Sequence, residues 1–306
     1  MKKKIIIGTR KSKLAVIYAK IAKKKIEKIG FKFGTKSVQI KKITTKGDIV
    51  QNRRLSDIGG KGLFIKKIEY ELLNKKIDIA VHALKDIPSS ETKKLLVNCF
   101  LRRNDPREVL ISRNKQKFQN LPKNSVIGTS SFRREFQLKK IRNDLNYKLI
   151  RGNVDTRIKK LNDGLYDGII LSYAGIKSLN IENQISEIFS VEDIIPSAGQ
   201  GIISLQCREN DNEIISLLDK INDNETCQRA YAERNVLKVL EGDCETAVGA
   251  HAIIKGDELI LEAELFSLDG SQRFYEKKSS KIEKAKELGN EVGQILKTKS
   301  NYSYKK

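Results

Sequence analysis

The sequence predicts an α/β protein with mixed or parallel sheets covered by helices, ending in a small α+β unit. Short β-branched runs alternate with helical patterns over the first two thirds of the chain, as repeated βα units do. Beyond Gly242 the pattern changes to strands joined by tight turns. A length of 306 residues suits two or three domains.

The elements follow in order. "KIIIGT" reads as a strand and "SKLAVIYAKIAKKKIEKIG" as a helix closed by Gly30. "SVQIKKIT" is a strand. "GLFIKKIEYELLNKK" is a helix with apolar Leu63, Ile65, Ile68, Leu72 and Leu73. "DIAVHAL" and "LLVNCFL" are strands. A second unit runs through strand "SVIGTSS", helix "FRREFQLKKIRNDL", strand "YKLIRGN", helix "VDTRIKKLNDGL", strand "YDGIILSY" and the helix start "AGIKSL". Strand "IISLQC" and further helices lead to Gly242. Residues 250–280 read as three antiparallel strands with turns at Lys255-Gly256-Asp257 and Asp269-Gly270. A helix over "KIEKAKELGNEVGQILKTK" closes the chain, and the tail "SNYSYKK" is expected to fray. Boundaries are expected near Leu101 to Pro106, Pro196 to Gly201 and Asn222.

Composition excludes several classes. No apolar run approaches the ~20 residues a membrane helix needs. The basic N-terminus carries an apolar run, Ile5 to Ile7, too short for a signal peptide, so a cytoplasmic location is expected. The formal net charge of +22 suggests nucleic acid. The lysines, however, are scattered, no basic run is interleaved with aromatics, and there is no Trp. A solvated basic surface is the favoured reading, and no nucleic-acid or membrane partner is expected. The arginines are distributed differently, nine of sixteen falling between Arg102 and Arg157. Their rigid donor forks grip carboxylates or phosphates at two points, which suggests a small anionic ligand.

Four cysteines and two histidines make no zinc spacing, and no metal is expected. Cys99 and Cys207 lie in apolar runs and read as packed thiols. Cys244 alone sits in a loop, between Gly242 and Gly249. By itself that placement fits a nucleophile, a metal ligand, half a disulfide, a packed thiol or an attachment point.

Four places can carry chemistry. "GTSSFRRE" ends a strand with three hydroxyls and opens a helix with Arg133 and Arg134, which makes an anion site. The competing reading is a plain N-cap by Ser130 or Ser131 with exposed arginines. "IRGNVDTR", with Arg151 and Arg157, and "IGTRKSKLA", with Arg10 and Ser12, repeat the design, so these strand ends should face a common cleft. In "DIAVHALKDIP", Asp86 follows a buried strand and suits the stabilisation of a cation, or simply a turn before Ile-Pro. "DIGGKGLF" fits neither a Walker A loop nor GxGxxG; with the polar stretch before it, it reads as a lid candidate or a surface loop.

In order, "GTRKSKLA", "GGKGLF", "AVHALKDIP", "DPREVL", "GTSSFRR", "RGNVDTR", "PSAGQG" and "EGDC" resemble the porphobilinogen deaminase (hydroxymethylbilane synthase) family of tetrapyrrole biosynthesis, from about Ile7 to the end. The resemblance implies two type II periplasmic-binding-protein-like domains and a small α+β domain, over 1–101 with 202–219, 106–197 and 222–306. It implies a dipyrromethane cofactor held on Cys244 through a thioether. Four porphobilinogen molecules would be joined to it head to tail with loss of ammonia. Water would then release 1-hydroxymethylbilane. Asp86 matches the catalytic aspartate, aiding loss of the amine and stabilising azafulvene and pyrrole cations. Lys85, Thr129, Ser131, Arg133, Arg134, Arg151 and Gly152 match cofactor-binding positions. Arg10, Ser12, Lys61, Arg157 and Gln200 match substrate-binding positions. The family expectation is a monomer whose partners are porphobilinogen and the growing polypyrrole. The chain departs at Ala83, where Ser is common, at Ser178, where Arg is common, and at "GDC", where "GGC" is commoner. The competing function is a non-catalytic anion-binding protein of the same fold, with no need of Cys244 or Asp86.

Overall fold

A computed structural model describes residues 2–45, 62, 65–242 and 246–305. The first strand, β1 (Lys4–Arg10), leads into helix α1 (Lys13–Gly30). Ser12 Oγ caps that helix by accepting from the Ala15 N–H at 3.3 Å. Tyr18, Ala19, Ala22 and Ile26 recur at helical spacing and are buried against the sheet. Strand β2 (Ser37–Ile43), helix α2 (Lys66–Leu73), β3 (Ile79–Ala83) and β4 (Leu95–Phe100) follow. Both β2 and β3 run parallel to β1. Ile68 and Leu72 of α2 pack with Ile43 and Ala80 in a separate core cluster.

The chain then builds a second sheet. Its elements are β5 (Glu108–Ser112), β6 (Val126–Gly128), α3 (Phe132–Ile141), β7 (Asn146–Lys148), α4 (Val154–Asn162), β8 (Gly168–Ser172), α5 (Tyr173–Ser178) and β9 (Glu187–Ile188). The strand order is β7-β6-β8-β5-β9. Here β5 is antiparallel to β8, whereas β6 is parallel to β7 and β8. The sequence reading had no strand over Glu108–Ser112. Val109, Leu110 and Ile111 are buried, as in a strand covered on both faces, so no polar alternation marks it.

Strand β10 (Ile203–Arg208) returns to the first sheet, between β3 and β4 and antiparallel to both. That sheet therefore reads β2-β1-β3-β10-β4. Helices α6 (Asn212–Asp219) and α7 (Asn224–Leu240) precede a third, antiparallel sheet of β11 (Val248–Lys255), β12 (Glu258–Phe266) and β13 (Arg273–Lys281). Helix α8 (Ala285–Ser300) and α7 cover it with Leu288, Val292, Leu296 and Val236. The tail is not frayed as expected. Tyr304 is buried and donates to the Leu240 carbonyl at 3.2 Å.

The two passages between the first sheets lie side by side. The Asn104 N–H donates to the Gly201 carbonyl at 2.8 Å. Gly201 has φ +83°, and a Cβ there would stand 2.4 Å from the Asn104 oxygen, so only glycine fits. Beside them Arg103 grips Glu233 of α7 through Nη1 at 2.5 Å and Nη2 at 3.3 Å. Glu233 also accepts from the N–H of Gly199 at 2.7 Å and of Ala252 at 2.8 Å. One carboxylate thus joins both passages to the third sheet.

Candidate functional site

A cavity of about 700 Å³ opens between the carboxyl ends of the strands of the first two sheets. Its lining includes Arg10, Ser12, Lys85, Asp86, Ser131, Arg133, Arg134, Arg151, Gly152, Arg157 and Gln200. The three arginine-bearing strand ends therefore meet in one cleft. Thr129 lies just behind it, buried, with Oγ1 accepting from the Ser131 N–H at 3.2 Å. Lys61 and Cys244 lie outside the described residues. Among the described residues, eight cationic side chains and only two carboxylates, Asp86 and Asp155, line the cavity.

Local geometry explains how the residues are aimed. Ser131 Oγ caps α3 through the Arg134 N–H at 3.4 Å. The arginines after it are buried, not exposed as a plain cap would leave them. Arg133 donates from Nη1 to the Ile195 carbonyl at 2.8 Å and from Nη2 to Glu108 at 2.5 Å. Arg134 donates from Nη1 to the Ile170 carbonyl at 3.0 Å and from Nη2 to Glu108 at 2.7 Å. Its buried Nε has no hydrogen-bond partner. Gly152, at φ +114°, turns its carbonyl to accept from Arg157 Nε at 2.8 Å.

Asp86 ends the short turn after β3, and its side chain is 38% exposed. Arg10 Nη1 stands 3.9 Å from Asp86 Oδ2. Next to it, Lys85 donates to Gln200 Oε1 at 3.0 Å, and Gln200 in turn donates to the Pro106 carbonyl at 2.7 Å.

The electrostatics show a site short of negative charge. Burial, with Arg134 nearby, pushes Lys85 down to about 8. Burial, Arg134 and Arg151 push Arg157 down to about 10. Burial would raise the Glu108 carboxyl, yet Arg134, Arg133 and Lys85 outweigh it and hold it at about 2. Each buried cation would gain from an arriving anion.

Two other residues complete the walls. Burial pushes the Tyr18 phenol up to about 12, and it hydrogen-bonds Ser178 across the cleft. Ser178 Oγ also donates to the Ala174 carbonyl at 2.7 Å. His82 is pushed down to about 4 by burial and pairs with Gln206 at 3.2 Å, so it is a neutral core residue.

The cleft is also close to the chain that carries Cys244. The Ala250 N–H of β11 donates to the Pro196 carbonyl at 2.9 Å. Neighbouring Ile195 accepts from Arg133, and Ser197 lines the cavity. Glu108 is the residue that sequence reasoning missed. Its only signal was an acid directly before a short apolar run.

Comparison with known proteins gives consistent matches. The family model described as porphobilinogen deaminase, dipyromethane cofactor binding domain, matches residues 5–216. The model of the porphobilinogen deaminase C-terminal domain matches residues 227–298. The porphobilinogen deaminase of Lysinibacillus sphaericus (strain C3-41) is 40% identical over 96% of this chain and 94% of its own length. That of Coxiella burnetii (strain CbuG_Q212) is 43% identical over 96% and 94%. Among solved structures, the periplasmic VFT2 domain of Bordetella pertussis BvgS aligns over 72% of this chain and 86% of its own, at 12% identity and a TM-score of 0.43.

Proposed function

The chain belongs to the porphobilinogen deaminase family, and from that premise we propose how its cleft performs the reaction. The activity is that of a transferase. Four porphobilinogen molecules are condensed head to tail on a covalently bound dipyrromethane group, ammonia leaves at each step, and water releases 1-hydroxymethylbilane. The observation that carries the reading is the cavity's excess of buried cations around a single exposed-edge aspartate.

The residues fit a polycarboxylate primer. The unpartnered Arg134 Nε and the depressed Arg157 both await an acceptor. We assign Cys244 as the attachment point, supported by the anchoring of β11 beside Pro196. Lys85, Thr129, Ser131, Arg133, Arg134, Arg151 and Gly152 would hold the primer's carboxylates. Arg10, Ser12, Lys61, Arg157 and Gln200 would face the incoming substrate. When bound, the dipyrromethane group supplies the pyrrole carbon to which each new unit is joined.

Asp86 is assigned the catalytic role. Its carboxylate would first accept a hydrogen bond from the substrate's aminomethyl ammonium and orient it for departure. It would then face the cation left on the substrate and stabilise it as a fixed charge. Arg10 keeps that carboxylate oriented from 3.9 Å. A non-catalytic binding protein would use the arginines but leave Asp86 without a task.

Three domains with the boundaries 1–101 plus 202–219, 106–197 and 222–306 suit the three separate sheets. Among the described residues no helix is long and apolar enough to cross a membrane. We infer a cytoplasmic monomer acting on porphobilinogen and the growing polypyrrole. The test is the intact mass of the purified protein beside a Cys244→Ser variant. A mass excess of two linked pyrrole units, absent in the variant, is expected. An unmodified wild type that stays unmodified and inactive with porphobilinogen overturns the reading.

A further inference from the structure

The two most buried arginines of the cleft share a carboxylate to which the roles above give no part. Glu108 opens β5 and is fully buried. Each of its oxygens takes one guanidinium, Arg133 at 2.5 Å and Arg134 at 2.7 Å. A backbone carbonyl pins each arginine at a second point, Ile195 for Arg133 and Ile170 for Arg134. With both terminal nitrogens of Arg134 engaged, the donor left over is its buried Nε. Arg134 itself lines the cavity.

We propose that Glu108 is a positioning residue for this reaction: it fixes both guanidiniums in place so that Arg134 offers Nε to a ligand carboxylate, with Arg133 aligned beside it. The physical argument has two parts. An arginine held at two points has lost its rotamer freedom before a ligand arrives, so binding need not supply that ordering. Two neighbouring buried guanidiniums also repel, and a carboxylate shared between them removes the repulsion without occupying the cleft. Its charge extends to Lys85 as well, on the other wall, favouring the ammonium form there.

The inference rests on reading the cleft as a carboxylate site, and the experiment separates the two. Glu108→Gln and Glu108→Asp are purified and compared with wild type for intact mass, thermal midpoint, kcat and KM for porphobilinogen. Glu108→Gln, which keeps the shape and loses the charge, is expected to fold and to raise KM by about tenfold or more, the scale of one lost charged contact. Its kcat should change far less, and its cofactor loading should be incomplete. Glu108→Asp should restore both. A Glu108→Gln protein with wild-type KM and full loading overturns the inference. So does a Glu108→Gln chain that fails to fold beside a folded Glu108→Asp, because the carboxylate would then serve stability alone. Wild-type protein lacking both the added mass and turnover removes the parent reading, and this inference with it.

Discussion

Replacing Arg103 by Leu tests the joint between the three sheets. Glu233 is fully buried and the Arg103 side chain is only 4% exposed. The substitution keeps the volume apolar but leaves a buried carboxylate with two backbone donors, Gly199 and Ala252, and no counter-charge. Removing one partner of such a pair costs ~3–5 kcal/mol, because the surviving charge stays desolvated. Each kcal/mol lowers the thermal midpoint by about 2–4 °C in folding units of ~150–250 residues. The cavity lining is untouched, since neither residue belongs to it. Activity per folded molecule should therefore stay near wild type while the midpoint falls. The second arm is Arg103→Leu with Glu233→Gln, whose amide oxygen still accepts from a backbone N–H but carries no charge. It should recover a good part of the loss. Thermal and urea unfolding of the three proteins, with turnover measured on each, is the assay. A single-variant loss below ~1 kcal/mol, the scale of an exposed pair, refutes the reasoning. So does a double variant no more stable than the single one.

Asp86→Asn should keep the fold and the cofactor mass yet lose nearly all turnover; near-normal turnover removes Asp86 from the central role. Arg134→Leu should lower cofactor loading or raise KM, as should Arg133→Leu; wild-type values of both would exclude these arginines from carboxylate binding. Lys85 is pushed down to about 8, and a ligand carboxylate needs its ammonium form, so porphobilinogen binding should weaken as pH rises through that value. A Lys85→Met protein showing the same alkaline loss would contradict this. For stability the sign is reversed. The folded value is below the ordinary 10.5, the unfolded chain binds more protons between the two, and this group's contribution rises with pH across that window.

Most of the architecture was legible because amphipathic periodicity marks it. Tyr18, Ala19, Ala22 and Ile26 lie on one helix face, and the strands of the third sheet alternate or turn at glycine. The strand β5 was not legible, since a run buried on both faces has no period to read. The convergence of Arg10, Arg134 and Arg157 was legible from strand-end position, because parallel βα units put those ends on one side. The counter-charge beneath them was not. Glu108 is close to Arg133 only through the pairing of β5 with β8, a contact between segments far apart in the chain. Tyr304 was missed for the same reason, its partner Leu240 being fixed by tertiary packing.

The late return of β10 has a consequence for synthesis on the ribosome. Ile203 pairs with Ala83, and Ser204 with Phe100, so β3 and β4 are not neighbours until the chain has passed through the whole second sheet. A nascent chain ending before residue 203 exposes one open edge of β3 and one of β4, the kind of edge that recruits stray strands. The second sheet needs nothing outside Glu108–Ile188 and can close while the first still waits. The half of the cleft that carries Asp86 is therefore made first and completed last.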